Sequence, residues 1–582
     1  MKKWTFYAVL MLIPAIMCGC DDKNEEPQPT PEDATLAIDP TNAAINFTAS
    51  AEDEAYVYTV ITNQTTWSAV SDKIWCKVAK NEAQGTFTIT ARANTSSTSP
   101  SPAKVTITAG NATAIIINVT QDPGDGDDPG GETTVDTKFE IEGGANLTFT
   151  ANLSDETTHD FSAGGAGKGT LKIDENQVSE GLIILSITHP GNPNNIAIGR
   201  KVGDNVAIKL KLDANGVSQQ REDGGKLKVN VVAELQTLGT PTVVDMECEQ
   251  ECDLYMGGIL FEPIGSAAQP FENTFDGKGF KIYNININHG TGDGTNRGLF
   301  SSINSKSTVR NVWIESGTII GGAKTGAIVG NNDGGTISQC TNKASVTGTA
   351  GDVGGICGIS IGGAIEDCWN GGIITNSLGS HTGGIVGVNV GSDTKTIYVK
   401  NCRNTGNVTS DGGDVGGIAG YHNGIPDATN RREQTRVEWC YNTGNISGTA
   451  SVGGLVGFGN AVTAVSYNRG NVTGTSNVGG IAGFIAATVI FVYTTGQVTG
   501  PAESAGIVIG THETNANTLH AYWVAGIAGN PALSANPEYP DPIGFSLQPF
   551  SDSAWPEWDA ADWKDIGGWN GGNPIFPKLK WE

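Results

Sequence analysis

The chain has 582 residues, which is long enough for several domains, and 80 of them are glycine. Its 61 acidic side chains outnumber its 35 basic ones, so the formal net charge is −26. This charge excludes nucleic-acid-binding proteins as a class, because phosphate recognition needs a positive surface. We therefore expect no nucleic-acid partner and an acidic surface that suits solubility and exposure.

The first 20 residues have the pattern of a secretory signal. Two lysines precede an apolar run that is too short to span a membrane, and the small residue Gly19 stands before Cys20. We predict a lipoprotein signal peptide over residues 1–20, with Cys20 as the lipidation site that anchors the chain to a membrane. An ordinary signal peptide and lipid attachment at Cys18 are the alternatives.

Residues 21–33 are acidic and proline-rich, and we interpret them as a tether between the lipid and the first domain. The predicted location is the outer membrane, with the protein facing the cell surface. A periplasm-facing position is the alternative.

Residues 34–121 alternate apolar and polar residues in short runs, such as Tyr56-Val-Tyr-Thr-Val60, which predicts an all-β sandwich. Residues 122–133 are rich in Gly, Asp and Pro and are typical of an extended linker. A calcium loop in this stretch is disfavoured, because its acids lack the EF-hand spacing and a closing glutamate.

Residues 134–225 also contain short apolar runs, including Leu182-Ile-Ile-Leu-Ser-Ile187 and Val206-Ala-Ile-Lys-Leu-Lys-Leu212. They predict a second small β-sandwich of unknown family. The stretch Val231-Val-Ala-Glu-Leu-Gln-Thr-Leu238 then predicts a short helix at the start of the next domain.

From residue 226 to residue 520 one phrase keeps returning, as in Val353-Gly-Gly-Ile-Cys-Gly358 and Val452-Gly-Gly-Leu-Val-Gly457. Its first glycines follow one another in steps of 28, 28, 29, 33, 37 and 26 residues, starting from Gly298. A period in this range indicates stacked structural repeats. Short runs bounded by Gly and Asn favour strands, so we predict a parallel β-helix of about eight coils, with three strands in each coil.

Two residue types recur in register within these repeats. We expect the glycines to supply positive φ or close backbone approach at the turns. A second phrase places Asn at one position of successive coils, and we expect these amides to hydrogen-bond along a ladder. The ladder positions are Asn342, Asn370, Asn404, Asn442 and Asn468.

Four cysteines occupy equivalent positions of consecutive coils, and the next two coils carry Ser466 and Val492 there. This substitution favours a small buried residue, so free thiols are the preferred interpretation. Disulfides or a thiolate metal site are the alternatives. Cys248 and Cys252 could pair only on a turn or helix. The four ladder cysteines are Cys340, Cys368, Cys402 and Cys440.

Residues 521–582 are rich in tryptophan, and we predict that they cap the far end of the solenoid, where an unpaired end would invite aggregation. A sugar-stacking surface is the alternative interpretation, because amphipathic aromatic rings concentrate at binding sites. The candidate ligand-binding tryptophans of this segment are Trp555, Trp558, Trp563 and Trp569.

The repeated Gly-[GA]-[IL]-x-Gly phrase resembles the GLUG repeat of bacterial surface proteins, and Phe261-Glu-Pro-Ile-Gly265 resembles the opening coil of such repeats in Bacteroidetes lipoproteins. Residues 34–121, with Trp67, Trp75 and the closing Val119-Thr-Gln121, resemble the BACON module. That resemblance implies an Ig-like sandwich and a role in carbohydrate or mucin binding, with Trp67 and Trp75 as candidate contacts. Core packing of both tryptophans, or a spacer role for the whole module, is the alternative.

No catalytic motif is evident. The text His512-Glu513 lacks the second histidine of the zinc motif that some GLUG proteins carry. The acids Glu366, Asp367, Asp411 and Asp414 do not recur in register. Nor do Arg431 and Arg432 in the insertion at residues 422–436, and surface loop charges explain these positions best.

We therefore predict a lipid-anchored, non-catalytic adhesin of the cell surface that needs no cofactor and no metal. Its predicted partner is a glycan, a mucin or a host or cell-surface protein. A polysaccharide-cleaving β-helix enzyme and a purely structural stalk are the alternatives.

Overall fold

The computed structural model describes most of the chain from residue 34 onward. The described ranges are 34–51, 54–64, 66–73, 75–81, 84–94, 97–110, 112–124, 134–179, 181–238, 246–257, 259–288, 296–322, 324–392, 396–424, 434–513, 517–523, 561–564, 568–570, 573–575 and 578–582. Within them almost all regular structure is strand, so the predicted all-β class is confirmed. No helix in these ranges combines the length and the apolar character that a membrane crossing requires.

The first unit contains two four-stranded sheets. Their inward residues, including Phe47, Tyr58 and Phe87, are fully buried and form one core. This arrangement confirms the predicted sandwich. One sheet has the strands Leu36–Asp39, Tyr56–Thr62, Thr86–Ala91 and Cys76–Asn81; the other has Ala44–Phe47, Ile115–Gln121, Ala103–Thr108 and Ser68–Ser71.

The second sandwich, predicted for residues 134–225, is also present. The rings of Phe139 in one sheet and Phe161 in the other stack with centroids 4.3 Å apart, so the two sheets share an apolar core. Glu175–Gln177 is a short 3-10 helix. One sheet has the strands Thr158–Ser162, Thr148–Leu153, Ile183–His189 and Asn192–Lys201; the other has Lys168–Asp174, Thr134–Glu142, Ile208–Leu212 and Ser218–Gln219.

A buried polar network joins this sandwich to the start of the solenoid. The fully buried Arg200 donates to the backbone and side-chain oxygens of Asn230 at 3.1 and 2.9 Å, and it pairs with Asp204 at 2.8 Å. The predicted helix follows at Val232–Thr237. Its buried Glu234 pairs with Arg221 at 2.7 Å, and burial raises the pKa of this carboxyl to about 7. The second sandwich is therefore built into the first coils.

The solenoid is parallel, as predicted, but most described coils contain five short strand segments rather than three strands. In the last coils one longer strand, Val462–Asn468 or Thr488–Thr494, replaces the two segments of sheet A. The chain passes two segments in sheet A, one in sheet B, one in sheet C and one in sheet D before it returns to sheet A. Among the described residues, sheets B and D each contain eight strands, which agrees with about eight coils.

The strands of the four sheets are as follows. Sheet A has Arg221–Asp223, Lys226–Val229, Glu247–Gln250, Leu254–Tyr255, Thr274–Asp276, Lys281–Tyr283, Thr308–Arg310, Trp313–Ile314, Thr336–Ser338, Thr341–Asn342, Ala364–Glu366, Trp369–Asn370, Ile397–Lys400, Arg403–Asn404, Thr435–Glu438, Tyr441–Asn442, Val462–Asn468, Thr488–Thr494 and Asn517–Trp523. Sheet B has Ile285–Asn288, Gly317–Gly321, Ser345–Gly348, Ile374–Asn376, Val408–Ser410, Ile446–Ser447, Val472–Thr473 and Val498–Thr499. Sheet C has Lys324–Gly326, Asp352–Gly354, His381–Gly383, Gly413–Gly416, Ala450–Gly453, Ser476–Gly479 and Ala505–Gly506. Sheet D has Phe300–Asn304, Val329–Asp333, Cys357–Ile361, Val386–Val390, Ala419–Asn423, Val456–Asn460, Ala482–Ile485 and Ile509–His512.

The two repeated sequence phrases touch each other inside the solenoid. A β-carbon added at Gly417, the second glycine of its motif, would lie 2.2 Å from the backbone oxygen of Gly454 and 2.5 Å from Cγ of Asn442. The same relation holds between Gly384 and Asn404 in the preceding coil. Close approach, rather than positive φ, is therefore the reason for this glycine.

The predicted asparagine ladder is present. The side-chain amide nitrogens of Asn342, Asn370, Asn404 and Asn442 each donate to Oδ1 of the next asparagine at 2.8 Å, and all five ladder amides are fully buried. Each of these nitrogens also donates to a backbone oxygen two residues further along the chain. The ladder thus satisfies a polar column in the interior and fixes the register between coils.

The long steps of the repeat come from one corner. The extra residues lie between Val386–Val390 and Ile397–Lys400, and again between Ala419–Asn423 and Thr435–Glu438, so both insertions separate sheet D from sheet A. Most residues of the second insertion, including Arg431 and Arg432, lie outside the described residues.

The described C-terminal residues pack against the side of the solenoid. Trp563–Lys564 pairs antiparallel with Lys578–Leu579, and Gly568–Asn570 pairs with Asn573–Ile575. We name Trp563–Lys564 and Lys578–Leu579 the C-terminal strand pair. This pair contacts the outward tyrosines of three successive coils of sheet A. Those tyrosines are Tyr441, Tyr467 and Tyr493. The contact covers a lateral apolar strip, whereas residues 524–560 of the predicted cap lie outside the described ranges.

Candidate binding face of the solenoid

Sheet B presents an uncharged, outward-facing surface built from two columns of side chains, which we name the hydroxyl–amide face. Strand pairing places the members of each column in register on successive coils. Thr347 and Ser447 are partly exposed and the other members are exposed. The hydroxyl column is Thr347, Thr375, Thr409, Ser447, Thr473 and Thr499; the amide column is Asn407, Asn445, Asn471 and Gln497.

The amide column is held in one orientation by the backbone. Oδ1 of Asn407 accepts from the backbone N–H of Asn445 at 3.0 Å, and Oδ1 of Asn445 accepts from that of Asn471 at 3.1 Å. Oδ1 of Asn471 in turn accepts from the backbone N–H of Gln497 at 2.9 Å. Because the oxygen is used in this way, each of the three asparagines turns its NH₂ group toward solvent. The face therefore presents oriented amides on three successive coils, whereas the equivalent position of two earlier coils holds Ser345 and the exposed Ile373.

The hydroxyl column lies two residues further along each strand. Adjacent coils of a parallel sheet are about 4.8 Å apart, so the hydroxyls and the oriented amides recur with that spacing. A hydroxyl both donates and accepts, and an NH₂ group donates twice. Among the described residues of this part of the sheet, charged groups stand at the borders, at Lys343, Asp411 and Arg469. The arrangement suits a long, uncharged ligand with many hydroxyl groups.

Sheet A carries a different column, made of aromatic and cationic side chains, and its ring faces are occupied. The guanidinium of Arg403 lies 4.5 Å from the ring centroid of Trp369, and Nζ of Lys281 lies 4.8 Å from that of Trp313. Nζ of Lys343 approaches both indoles, at 5.3 and 5.4 Å. Further along, the rings of Tyr441, Tyr467 and Tyr493 stack on one another. This column stabilises the stacked coils and leaves little ring face for a sugar.

The two tryptophans of the first unit differ in exposure. Trp75 is 1% exposed in the core, and its indole N–H donates to the backbone oxygen of Ser101 at 3.1 Å. Trp67 is half-buried, packs on Phe87 at 6.1 Å between centroids, and has Nζ of Lys80 4.4 Å from its ring. The geometry of Trp75 favours the core-packing interpretation that the sequence left open.

The C-terminal candidates are only partly described. Trp563 is 1% exposed and packs against Tyr467 and Tyr493, which again favours packing. The backbone of Trp569 lies in a described strand, while its side chain, Trp555, Trp558 and the predicted lipidation site Cys20 lie outside the described residues. These positions remain predictions.

The candidate catalytic acids do not converge. Glu366 and Asp367 belong to sheet A, Asp411 follows sheet B, and Asp414 lies in sheet C, so they occupy different sides of the coil. The amide nitrogen of Asn401 donates to Asp367 at 3.0 Å, which accounts for that carboxylate structurally. None of these acids forms a catalytic pair with another among the described residues.

The structure brings together a cluster of three ionisable side chains that the sequence did not reveal. On three successive coils of sheet C, His381 lies between Asp352, whose Oδ1 is 2.7 Å from Nδ1, and Asp414, whose Oδ2 is 3.4 Å from Nε2. Burial alone would lower the pKa of His381, but the two carboxylates outweigh it and raise the pKa above its ordinary value of 6.5. Because the imidazole occupies the space between the carboxylates, the trio forms an ion-paired column.

All eight described cysteines are free and buried, in agreement with the preferred interpretation. Burial raises the pKa of the Cys340 and Cys402 thiols, and it raises that of Cys248 and Cys252 to about 12. Such thiols are protonated and inert at neutral pH. No cluster of three metal-ligating side chains occurs in the described part of the chain.

Sequence reasoning missed the hydroxyl–amide face because it interpreted Asn404-Thr-Gly-Asn-Val-Thr409 as a strand bounded by turns. The sequence signal that could have revealed this face is the alternation of polar and apolar residues in the phrase. Every second residue, Thr405, Asn407 and Thr409, is polar and exposed, while Val408 between them is buried. The same alternation recurs in the following coils, so their outward residues could have been aligned.

Fold and face together define a β-solenoid protein with two β-sandwich domains. No family model matches the sequence. A stretch of 105 residues, 18% of the chain, is 30% identical to halomucin of Haloquadratum walsbyi and spans 1% of that protein's length. The Yersinia pseudotuberculosis adhesin InvE matches over 31% of this chain and 65% of its own, at 15% identity and a TM-score of 0.10. At that TM-score the likeness to InvE carries no argument.

Proposed function

We propose that the protein is a lipid-anchored surface adhesin that binds glycans or mucins without cleaving them. The observation that carries this proposal is the hydroxyl–amide face, with its oriented, uncharged hydrogen-bonding groups in register over successive coils. Carbohydrates are rich in hydroxyl groups and many are neutral, so hydrogen-bonding groups without charge suit them. The candidate acids are spread over sheet A, the end of sheet B and sheet C, which gives a cleavage mechanism no support.

The sequence patterns support a surface location. The signal-like segment with Cys20, the acidic tether at residues 21–33 and the GLUG-like and BACON-like resemblances are all typical of outer-membrane lipoproteins of Bacteroidetes. On this proposal Cys20 is acylated, and the sandwiches and the solenoid stand away from the membrane. Metabolic labelling with an alkyne fatty acid tests the anchor: wild type incorporates label, and Cys20→Ser does not. Label on Cys20→Ser would contradict lipid attachment at this residue.

A glycan and mucin binding screen on the purified chain, with release of new reducing ends followed in the same wells, tests the function. We expect binding without release. Release of new ends would overturn the non-catalytic proposal and direct attention to Asp367, Asp411 and Asp414. Silence in both assays would contradict adhesion to carbohydrate and favour the stalk.

A further inference from the structure

We propose, on the basis of the proposed glycan-binding function, that the hydroxyl–amide face binds an extended, uncharged polysaccharide chain. The chain lies parallel to the solenoid axis, with one sugar ring over each coil.

The first argument is the repeat distance. Successive coils are about 4.8 Å apart, so Thr409, Ser447, Thr473 and Thr499 offer one hydroxyl per step along a straight line. An extended chain of linked six-membered sugar rings advances by a comparable length for each ring. A polymer parallel to the axis can therefore place one ring over each coil and meet the face at every step.

The second argument is the preorganisation of the amides. The backbone hydrogen bonds to Oδ1 of Asn407, Asn445 and Asn471 fix the side chains before any ligand arrives. These three amides lie beside the hydroxyl column, so a sugar ring over one of their coils meets one fixed donor and one rotating hydroxyl. Binding then orders few side chains, which lowers its entropic cost.

The third argument is charge. The chain carries a net charge of −26, while both columns of the face are uncharged. A sulfated or uronic-acid polymer would experience long-range repulsion without a local cation column to offset it. The face thus selects neutral polymers, and its binding should depend little on salt because no counterions are released.

The fourth argument is the lack of aromatic side chains in the two columns. Without a ring platform, each sugar contributes only exposed hydrogen bonds, which are individually weak. Affinity must then accumulate with the number of coils engaged, as in other multivalent contacts. Length dependence is therefore the signature of this mode of binding.

The test measures the affinity of the full chain for cello-, manno- and xylo-oligosaccharides of increasing length, by calorimetry at low and high salt. We expect affinity in at least one series to rise with each added sugar until the hydroxyl column is covered, with little effect of salt. If no series gains affinity with length, the inference is overturned. The proposed function then survives if mucins or branched glycans bind in the screen.

Variants locate the binding. The double variant Thr409→Val and Thr473→Val removes two hydroxyls but keeps strand-forming side chains, and it should weaken binding of the longest oligosaccharide by about tenfold or more. Asn445→Asp keeps the acceptor for the N–H of Asn471 while it removes the outward donor, and it should also weaken binding.

The matched control is Thr308→Val with Thr336→Val, an in-register outward pair on sheet A. Its affinity should equal that of the wild type, and unfolding curves should show that all variants remain folded. Length-dependent binding that the sheet B variants leave unchanged would place the polysaccharide elsewhere and contradict the inference, although glycan binding itself would stand.

Discussion

Individual glycines of the repeat differ in how much room they leave for a side chain. At Gly417 a β-carbon would overlap both the backbone of Gly454 and the ladder amide of Asn442. At Gly413, four residues earlier in sequence, the nearest atom would be 3.5 Å away, an ordinary contact. The structural need for glycine is therefore local.

We predict that Gly417→Ala destabilises the protein by at least about 1–3 kcal/mol, since the overlap forces neighbouring coils apart. Gly413→Ala is the control and should change the free energy of unfolding by no more than about 0.5 kcal/mol. Chemical denaturation of both variants measures the difference. Equal effects would contradict close approach as the cause.

The imidazole of His381 makes the solenoid sensitive to pH. Its folded-state pKa lies above the unfolded value of 6.5, so the stabilisation is fully present below that value and is lost as pH rises through the folded pKa. Burial also raises the pKa of Asp414, whose contribution falls with rising pH in the same direction.

We predict that wild type is more stable than His381→Gln at about pH 5 and that this advantage shrinks as the pH rises past the raised pKa. Urea unfolding across this range tests it. Asp352→Asn should reduce the same pH dependence because it removes the nearer carboxylate. A stability difference that stays constant with pH would show that the ion pairs contribute nothing.

At the scale of the element, the buried asparagine ladder couples one coil to the next. Asn442 accepts from Asn404 and donates to Asn468, and it also bonds the backbone N–H and oxygen of Gly444. Its removal therefore breaks two buried ladder bonds and leaves the backbone groups of Gly444 without these partners. We predict that Asn442→Ala costs roughly 1–3 kcal/mol for each group left unsatisfied. Thr443→Ala, at the adjacent exposed position, should be nearly neutral in the same denaturation experiment.

The C-terminal strand pair protects the lateral apolar strip of the last coils. Trp563 is buried against Tyr467 and Tyr493, and the indole N–H of Trp581 donates to the backbone oxygen of Trp439 at 2.9 Å. We predict that Trp563→Ala costs about 3–5 kcal/mol and frees this segment. Hydrogen exchange should accelerate in Val462–Asn468 and Thr488–Thr494.

The same variant contains its own control. Protection in the early coils, such as Thr336–Ser338, should stay unchanged because each coil contacts only its neighbours. Uniform loss of protection along the solenoid would contradict local coverage by the C-terminal residues.

The sequence predicted the repeat, the ladder and the parallel stacking because those features depend on residue type at fixed spacing. It did not predict five segments per coil. Strands such as Thr341–Asn342 contain only two residues, and Val353-Gly-Gly-Ile-Cys-Gly358 crosses a corner between sheets C and D. An apolar run that continues through a corner cannot reveal the corner, since both sides face the same core.

At the scale of the whole molecule, the first unit has a separate core from the rest of the chain. We predict that Trp75→Ala lowers the unfolding temperature of this unit alone, with a cost of about 3–5 kcal/mol. Calorimetry should show the transition of the remaining chain unmoved. Trp67→Ala, which truncates a half-buried ring, should shift the same transition by less. If Trp75→Ala shifted the unfolding temperatures of both the first unit and the remaining chain, the two cores would not be independent.

The candidate binding face illustrates what sequence reasoning could not reach. Tryptophans were the obvious candidates because aromatic rings bind sugars, yet Trp75 and Trp563 are buried and the rings on sheet A face one another or cations. Nothing in the sequence marks Thr409 or Thr473 individually as a ligand contact. They join one face only because coils of unequal length bring them into register, and that register depends on the three-dimensional stacking.

Both long insertions leave the solenoid at the same corner, between sheets D and A. The other corners vary by only a few residues, so the large differences in coil length are concentrated at the corner between sheets D and A. In evolutionary terms, whole coils can be duplicated to lengthen the rod while this one corner diversifies independently. For an experimenter, the same corner is the natural place to insert an epitope or a fluorophore without disturbing the fold.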